Sequence, residues 1–249
     1  MTDYHPGLEG VIATESSISD INGEKGILSY RGYSIEELAE KSTFEETAFL
    51  LLTGELPTPD ELTKFTKQIN ARRDLPSGMI DLLKTLPKES NPMDVIQLAV
   101  SSLGTFYPVS FDAEDLKAKK YTKDYYIEVS AGILGSIGSI VAAWNRIKNN
   151  KDYIKPDSNL SYADNFMHML DDSIEVTPLI SRIIDATLIL HAEHTINAST
   201  FTSMVTSSTL ASPTQVIASA IGSLSGPLHG GANMAVINML NQIHESGDD

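Results

Sequence analysis

The 249-residue chain contains no cysteine. Structural disulfides, thiolate nucleophiles and cysteine-based metal sites are therefore excluded. Positive charge is also scarce, with 18 Lys and Arg against 33 Asp and Glu for a net charge of −15. Nucleic acid is held chiefly by cations that neutralise phosphates, so no nucleic-acid partner is expected. The opening residues, MTDYHPGLEG, have neither the basic start nor the apolar core of a secretory signal. Long apolar runs are nearly absent as well. The one that stands out, Val129 to Asn145, is uncharged for 17 residues, the lower limit for crossing a bilayer. Gly132, Gly135 and Gly138 recur within it at every third position, a spacing that lets helices pack closely. A buried core helix is expected there, no membrane partner, and a cytoplasmic protein.

What is present is the composition of a globular domain, with 41 % hydrophobic and 20 % charged residues. The strand signal is confined to the start, where Ser17–Ile21 and Ile27–Tyr30 flank the turn-rich Asn22-Gly23-Glu24-Lys25-Gly26. Helix starts then follow in succession. Ser34 with Glu37 and Thr43 with Glu46 read as capping boxes, and Gly54 closes the second helix. Thr58-Pro59 and Asn91-Pro92 place proline at the first helical position. Further helices are expected over Ser77–Thr85, from Pro92, Tyr125–Lys148, Tyr162–Leu170, Pro178–Thr195 and Thr214–Leu224. Asp112–Asp124 reads as a charged connection. Alternating strands and helices are missing, so the expected class is mainly α, multi-helical with a short N-terminal β-hairpin.

Chemistry concentrates in two C-terminal stretches. In IGSLSGPLHGGANMA, Ile221–Ala235, a reversal at Gly226-Pro227 feeds a helix, so His229 faces that helix's unpaired N–H groups. The positive end of the helix favours the neutral ring, which can then donate a hydrogen bond. Gly230 and Gly231 leave room for a ligand to approach the backbone. A plain glycine-rich turn with an incidental histidine would read the same way. In ILHAEHTINASTFTSMV, Ile189–Val205, a helix through Thr195 puts His191 and His194 on one face, with Glu193 pointing elsewhere. Two such histidines can be hydrogen-bonded in a core, bind substrate or ligate a metal. The metal reading is the weakest, because H-A-E-H lacks the H-E-x-x-H spacing. His5, His168 and His244 read as structural or surface residues.

His191-Ala192-Glu193-His194, Asn197-Ala198-Ser199-Thr200 and Gly226-Pro227-Leu228-His229-Gly230-Gly231-Ala232-Asn233 together resemble the citrate synthase family. Gly7-Leu8-Glu9-Gly10-Val11, Tyr30-Arg31-Gly32-Tyr33 and Leu51-Leu52-Thr53-Gly54-Glu55-Leu56-Pro57 extend the resemblance to the N-terminal end. Met234 departs from it, standing where many members have Glu. The resemblance implies condensation of acetyl-CoA with oxaloacetate to citrate and CoA, with no cofactor and no metal. It implies that His229 is catalytic, a donor to the thioester oxygen, and that His194 and Asn197 bind or line the oxaloacetate site. His191, Ser199, Gly230 and Gly231 would support the site, Ser199 by orienting the His229 ring. It also implies a homodimer.

Family members continue well past this helix into a smaller domain that carries the base Asp, carboxylate-binding Arg residues and most of the CoA site. After His229 this sequence has no Arg or Lys. Residues 1–249 are therefore expected to be an incomplete large domain, inactive alone. The alternatives are a noncatalytic dimerisation or regulatory partner of a full-length synthase, or a 2-methylcitrate synthase using propionyl-CoA. A serine hydrolase reading of His229-Gly230-Gly231 fails, because Gly222-Ser223-Leu224-Ser225-Gly226 is not G-x-S-x-G and no strand leads into it.

Overall fold

A computed structural model describes residues 10, 12, 14–108 and 122–247. His5, most of the Gly7–Val11 motif and the Asp112–Asp124 connection before Thr122 lie outside the described residues. A small antiparallel sheet, β1 (Ser19–Asn22), β2 (Ile27–Tyr30) and β3 (Tyr33–Ser34), is ordered β1-β2-β3. It exceeds the expected hairpin by one short strand. Arg31 and Gly32, at φ 50° and 90°, make the two-residue β2–β3 turn, whose paired positive φ values suit the right-handed twist of a tight hairpin.

Eleven helices follow among the described residues: α1 (Ile35–Lys41), α2 (Phe44–Thr53), α3 (Pro59–Asn70), α4 (Ser77–Thr85), α5 (Pro92–Phe106), α6 (Lys123–Lys148), α7 (Tyr162–Leu170), α8 (Pro178–Leu190), α9 (Ala198–Ser207), α10 (Pro213–Leu224) and α11 (Gly231–Ser246). Local chemistry sets most of their ends. Thr43 and Thr58 form complete capping boxes with Glu46 and Glu61, and Gly54 closes α2 at φ 97°. At α1 the box is only half made. Ser34 accepts the Glu37 N–H, but the Glu37 carboxylate turns to Lys41 at 3.2 Å.

α6 is long and apolar enough to cross a membrane, yet it runs through the middle of the fold with half of its most apolar window buried. Its small residues explain how neighbours come so close. A Cβ on Gly135 would lie 2.2 Å from the Ile69 carbonyl oxygen of α3, so only glycine fits there. One core gathers Met79, Leu83, Ala99, Val100, Ile140 and Trp144 from α4, α5 and α6. The other gathers Tyr30, Leu50, Phe65, Ala131, Tyr162 and Ile189 from the sheet, α2, α3, α6, α7 and α8.

Buried carboxylates tie this second core together. Asp185 of α8 accepts the Phe44 N–H at the start of α2 at 2.9 Å, and Glu45 of α2 accepts the Tyr162 N–H at the start of α7 at 2.7 Å. Each satisfies a helix-terminal donor that has no partner within its own helix. Burial raises the pKa of both carboxyls.

Candidate active site

The site-bearing segment leaves α8 earlier than its apolar periodicity suggests. The helix expected to run to Thr195 ends at Leu190, with His191 as its C-cap at φ −105°. His191 and His194 therefore do not share a helical face, and both are exposed. The reason is local and nonlocal at once. Thr195 sits at φ 60°, a left-handed conformation that a β-branched residue rarely adopts. The Glu193 carboxylate accepts the Thr195 N–H at 2.8 Å, which holds the chain in that turn. The last α8 carbonyls also face a tyrosine hydroxyl from β2, beside the Ala192 N–H that the Ile189 carbonyl accepts at 3.2 Å.

His191 Nδ1 lies 2.8 Å from the Thr187 carbonyl oxygen. A carbonyl can only accept, so Nδ1 carries a proton. Asn197 is the N-cap of α9, its side chain accepting the Thr200 N–H at 2.9 Å. Neither α9 nor this cap is among the elements expected from the sequence, although an Asn immediately before a helical run is the signal that marks one. Its N–H bonds the Thr195 carbonyl at 3.0 Å, joining the turn to α9.

Two residues later the chain meets the second motif. Ser199 Oγ lies 2.8 Å from His229 Nε2 and 3.0 Å from the Ala220 carbonyl of α10. His229 is half-buried in the turn between α10 and α11, its N–H bonded to the Gly226 carbonyl at 3.0 Å. Gly230 caps α11 and Gly231 is its first residue. The two glycines differ. A Cβ on Gly230 would lie 2.3 Å from the Leu224 carbonyl oxygen, whereas one on Gly231 would meet nothing nearer than 3.9 Å. Gly230 is thus needed for the chain's own close approach.

The hydroxyl of Ser199 has one proton and two acceptors in reach. Ala220 lies inside α10, where its carbonyl already receives a helical N–H four residues on. A carbonyl has two lone pairs, so the hydroxyl proton can go to Ala220 or to His229 Nε2. In the second arrangement the neutral ring is the Nδ1–H tautomer, with its donor directed away from Ser199.

Among the described residues, no group of three His, Asp or Glu is placed to hold a metal. His168 lines a cleft with Asp164, Asp171 and Asp172, but Asp171 is engaged by Lys151 at 3.5 Å and Asp172 by Arg146 at 2.8 Å. Among the described residues of α11 none is buried, and Met234, Val236, Ile237, Met239, Leu240 and Ile243 are all exposed on it.

Residues 7–248 match the family model described as "Citrate synthase, C-terminal domain". Citrate synthase of Acidithiobacillus ferridurans is 46 % identical over 242 residues, covering 97 % of this chain and 61 % of that protein. Citrate synthase of Deinococcus radiodurans is 43 % identical, covering 98 % and 62 %. The protein named 2-methylcitrate synthase 2 of Corynebacterium glutamicum is 39 % identical, covering 98 % and 63 %. The crystal structure of citrate synthase from Pyrobaculum aerophilum superposes with a TM-score of 0.84 at 39 % identity, covering 95 % of this chain and 59 % of that one. The chain spans about three fifths of the length of these curated relatives. With this match along almost its whole length, a shared mainly helical fold and the Ser199–His229 pair at the head of α11, the chain belongs to the citrate synthase family.

Proposed function

We propose that this chain is the large-domain portion of an enzyme condensing acetyl-CoA with oxaloacetate to give citrate and CoA. The observation that carries the reading is the 2.8 Å contact between Ser199 Oγ and His229 Nε2. The difficult step of such a reaction is removal of a proton from a methyl group beside a thioester. Negative charge then grows on the carbonyl oxygen, and a preorganised donor stabilises it. A neutral His229 with its proton on Nδ1 is such a donor, supplied by a rigid helix head. His194 and Asn197, just upstream of Ser199, are assigned to the keto acid. The proton-abstracting base and the cations for the two carboxylates are assigned to sequence that the longer relatives possess beyond the matched region.

The test is exchange of the acetyl-CoA methyl protons with solvent in the full-length enzyme. His229→Ala is expected to slow it by at least ~10²-fold, the usual cost of losing one preorganised donor. Unchanged exchange would remove His229 from the mechanism. The 249-residue polypeptide alone is expected to form no citrate, and turnover by it would show that the base lies within these residues. A second reading, use of propionyl-CoA, is favoured by the 39 % identity to a 2-methylcitrate synthase. Relative kcat/KM for the two acyl-CoAs decides between them.

The exposed apolar residues of α11 support pairing with a second copy of the chain. Sedimentation as a monomer at micromolar concentration would remove that part of the proposal.

A further inference from the structure

Tyr30 ends β2, far from the site in sequence, yet its ring is wholly buried and its hydroxyl lies against the site-bearing turn. The oxygen is 3.2 Å from the Ile189 carbonyl, 3.5 Å from that of Leu190 and 3.1 Å from that of Glu193. Carbonyls only accept, so the single phenolic proton is shared among them. Two of the three are terminal α8 carbonyls, that of Ile189 also accepting the Ala192 N–H at 3.2 Å, and the third belongs to the residue before His194. Burial raises the phenol's pKa, which keeps the group a donor throughout the physiological range.

Glu193 is therefore held twice. Its carbonyl receives the Tyr30 hydroxyl, and its carboxylate accepts the Thr195 N–H at 2.8 Å. Thr195, in its left-handed conformation, is tied forward through its carbonyl to the Asn197 N–H at 3.0 Å and the Thr200 hydroxyl at 3.4 Å. His194 sits between two anchored residues. A left-handed Thr persists only where its surroundings over-determine it, and the buried anchor of this turn is the phenol. Tyr30 is itself fixed, because it pairs with Tyr33 across the Arg31-Gly32 turn.

We propose that Tyr30 is a positioning residue for His194, its buried hydroxyl holding the Ile189–Thr195 turn in the strained form that presents the imidazole to the keto-acid substrate. The kinetic consequence rests on the citrate synthase reading; the positioning itself does not. The N-terminal sheet thereby acquires a role at a site 159 residues further along the chain.

Tyr30→Phe keeps the ring and its packing and removes only the hydroxyl. Hydrogen exchange measured on the 249-residue chain is expected to quicken at residues 191–197 by roughly five- to thirtyfold, the population change that follows loss of one buried hydrogen bond. α6 should keep its protection. In the full-length enzyme, KM for oxaloacetate is expected to rise by a similar factor while kcat stays within about threefold, the pattern of lost ground-state binding. Unchanged exchange in the turn would overturn the proposal. An equal increase in every helix would also overturn it, since Tyr30 would then serve only global stability. So would a fall in kcat with KM unchanged. If the unsubstituted enzyme fails to condense the two substrates, the function reading falls, and the exchange measurement still decides the role of Tyr30.

Discussion

Ser199→Ala isolates the tautomer argument. The substitution deletes the 2.8 Å contact with His229 Nε2 and the 3.0 Å contact with the Ala220 carbonyl, and it adds nothing. Stability should fall by about 1 kcal/mol for the lost hydrogen bond, partly offset because Ser199 lies in the first turn of α9, where alanine is the better helix former by about 0.5 kcal/mol. The effect on chemistry should be larger. A side-chain hydrogen bond contributes about 1 kcal/mol net, and leaving a desolvated partner unsatisfied costs up to about 3 kcal/mol. At 1.36 kcal/mol per factor of ten, that is a slowing of acetyl-CoA methyl exchange of roughly fivefold to about 160-fold, which at its upper end reaches the least loss expected for His229→Ala. The assay is proton NMR of the thioester methyl in deuterated buffer with the full-length enzyme. Nitrogen-15 shifts of the His229 ring in the 249-residue chain should show the Nδ1–H form losing population in parallel. Exchange within about twofold of the parent, with the ring tautomer unchanged, would refute the idea that Ser199 selects the donor.

Two further predictions concern backbone space and protonation. Gly230→Ala must displace the Leu224 carbonyl, which a Cβ would approach to 2.3 Å; it should cost about 1–3 kcal/mol in a urea titration and impair the site. Gly231→Ala, with 3.9 Å to its nearest neighbour, should be neutral or stabilising by up to about 1 kcal/mol. Equal effects from the two would contradict the geometry. Burial raises the Glu45 and Asp185 pKa values, so the folded chain holds protons that the unfolded chain has released. The stability they lend is full below the ordinary carboxylate pKa of about 4 and is lost as pH rises through their raised values. Hydrogen-bonded Asp171 and Asp172 have lowered pKa values and act in the opposite sense, below that range. The urea midpoint should therefore rise as pH is lowered from neutrality towards the ordinary carboxylate range, and Glu45→Gln should shrink the rise. A midpoint that falls on this acidification would refute the assignment.

Where structure follows from neighbours in sequence, it was legible. Thr43 with Glu46, Pro59, Pro92 and Gly54 each mark a helix end by chemistry confined to four residues, and the ends fall there. The pairing of Ser199 with His229 could be proposed because a resemblance joined the two motifs, not because any periodicity did. The stop of α8 at Leu190 was not legible. No Gly or Pro marks it, the apolar pattern runs on, and the side-chain donor that meets its last carbonyls comes from Tyr30 at the other end of the chain. The Asp185–Phe44 and Glu45–Tyr162 ties are hidden for the same reason, since nothing in a one-dimensional pattern says which helix start a distant carboxylate will meet.

The placement of α6 has a consequence for how the molecule comes apart. Ile140 and Trp144 belong to one core and Ala131 to the other, on a single continuous helix. Withdrawing that rod from either cluster strands the opposite one, so neither half can melt while its neighbour persists. Heat should therefore produce one calorimetric peak rather than two, with the calorimetric and van't Hoff enthalpies in agreement.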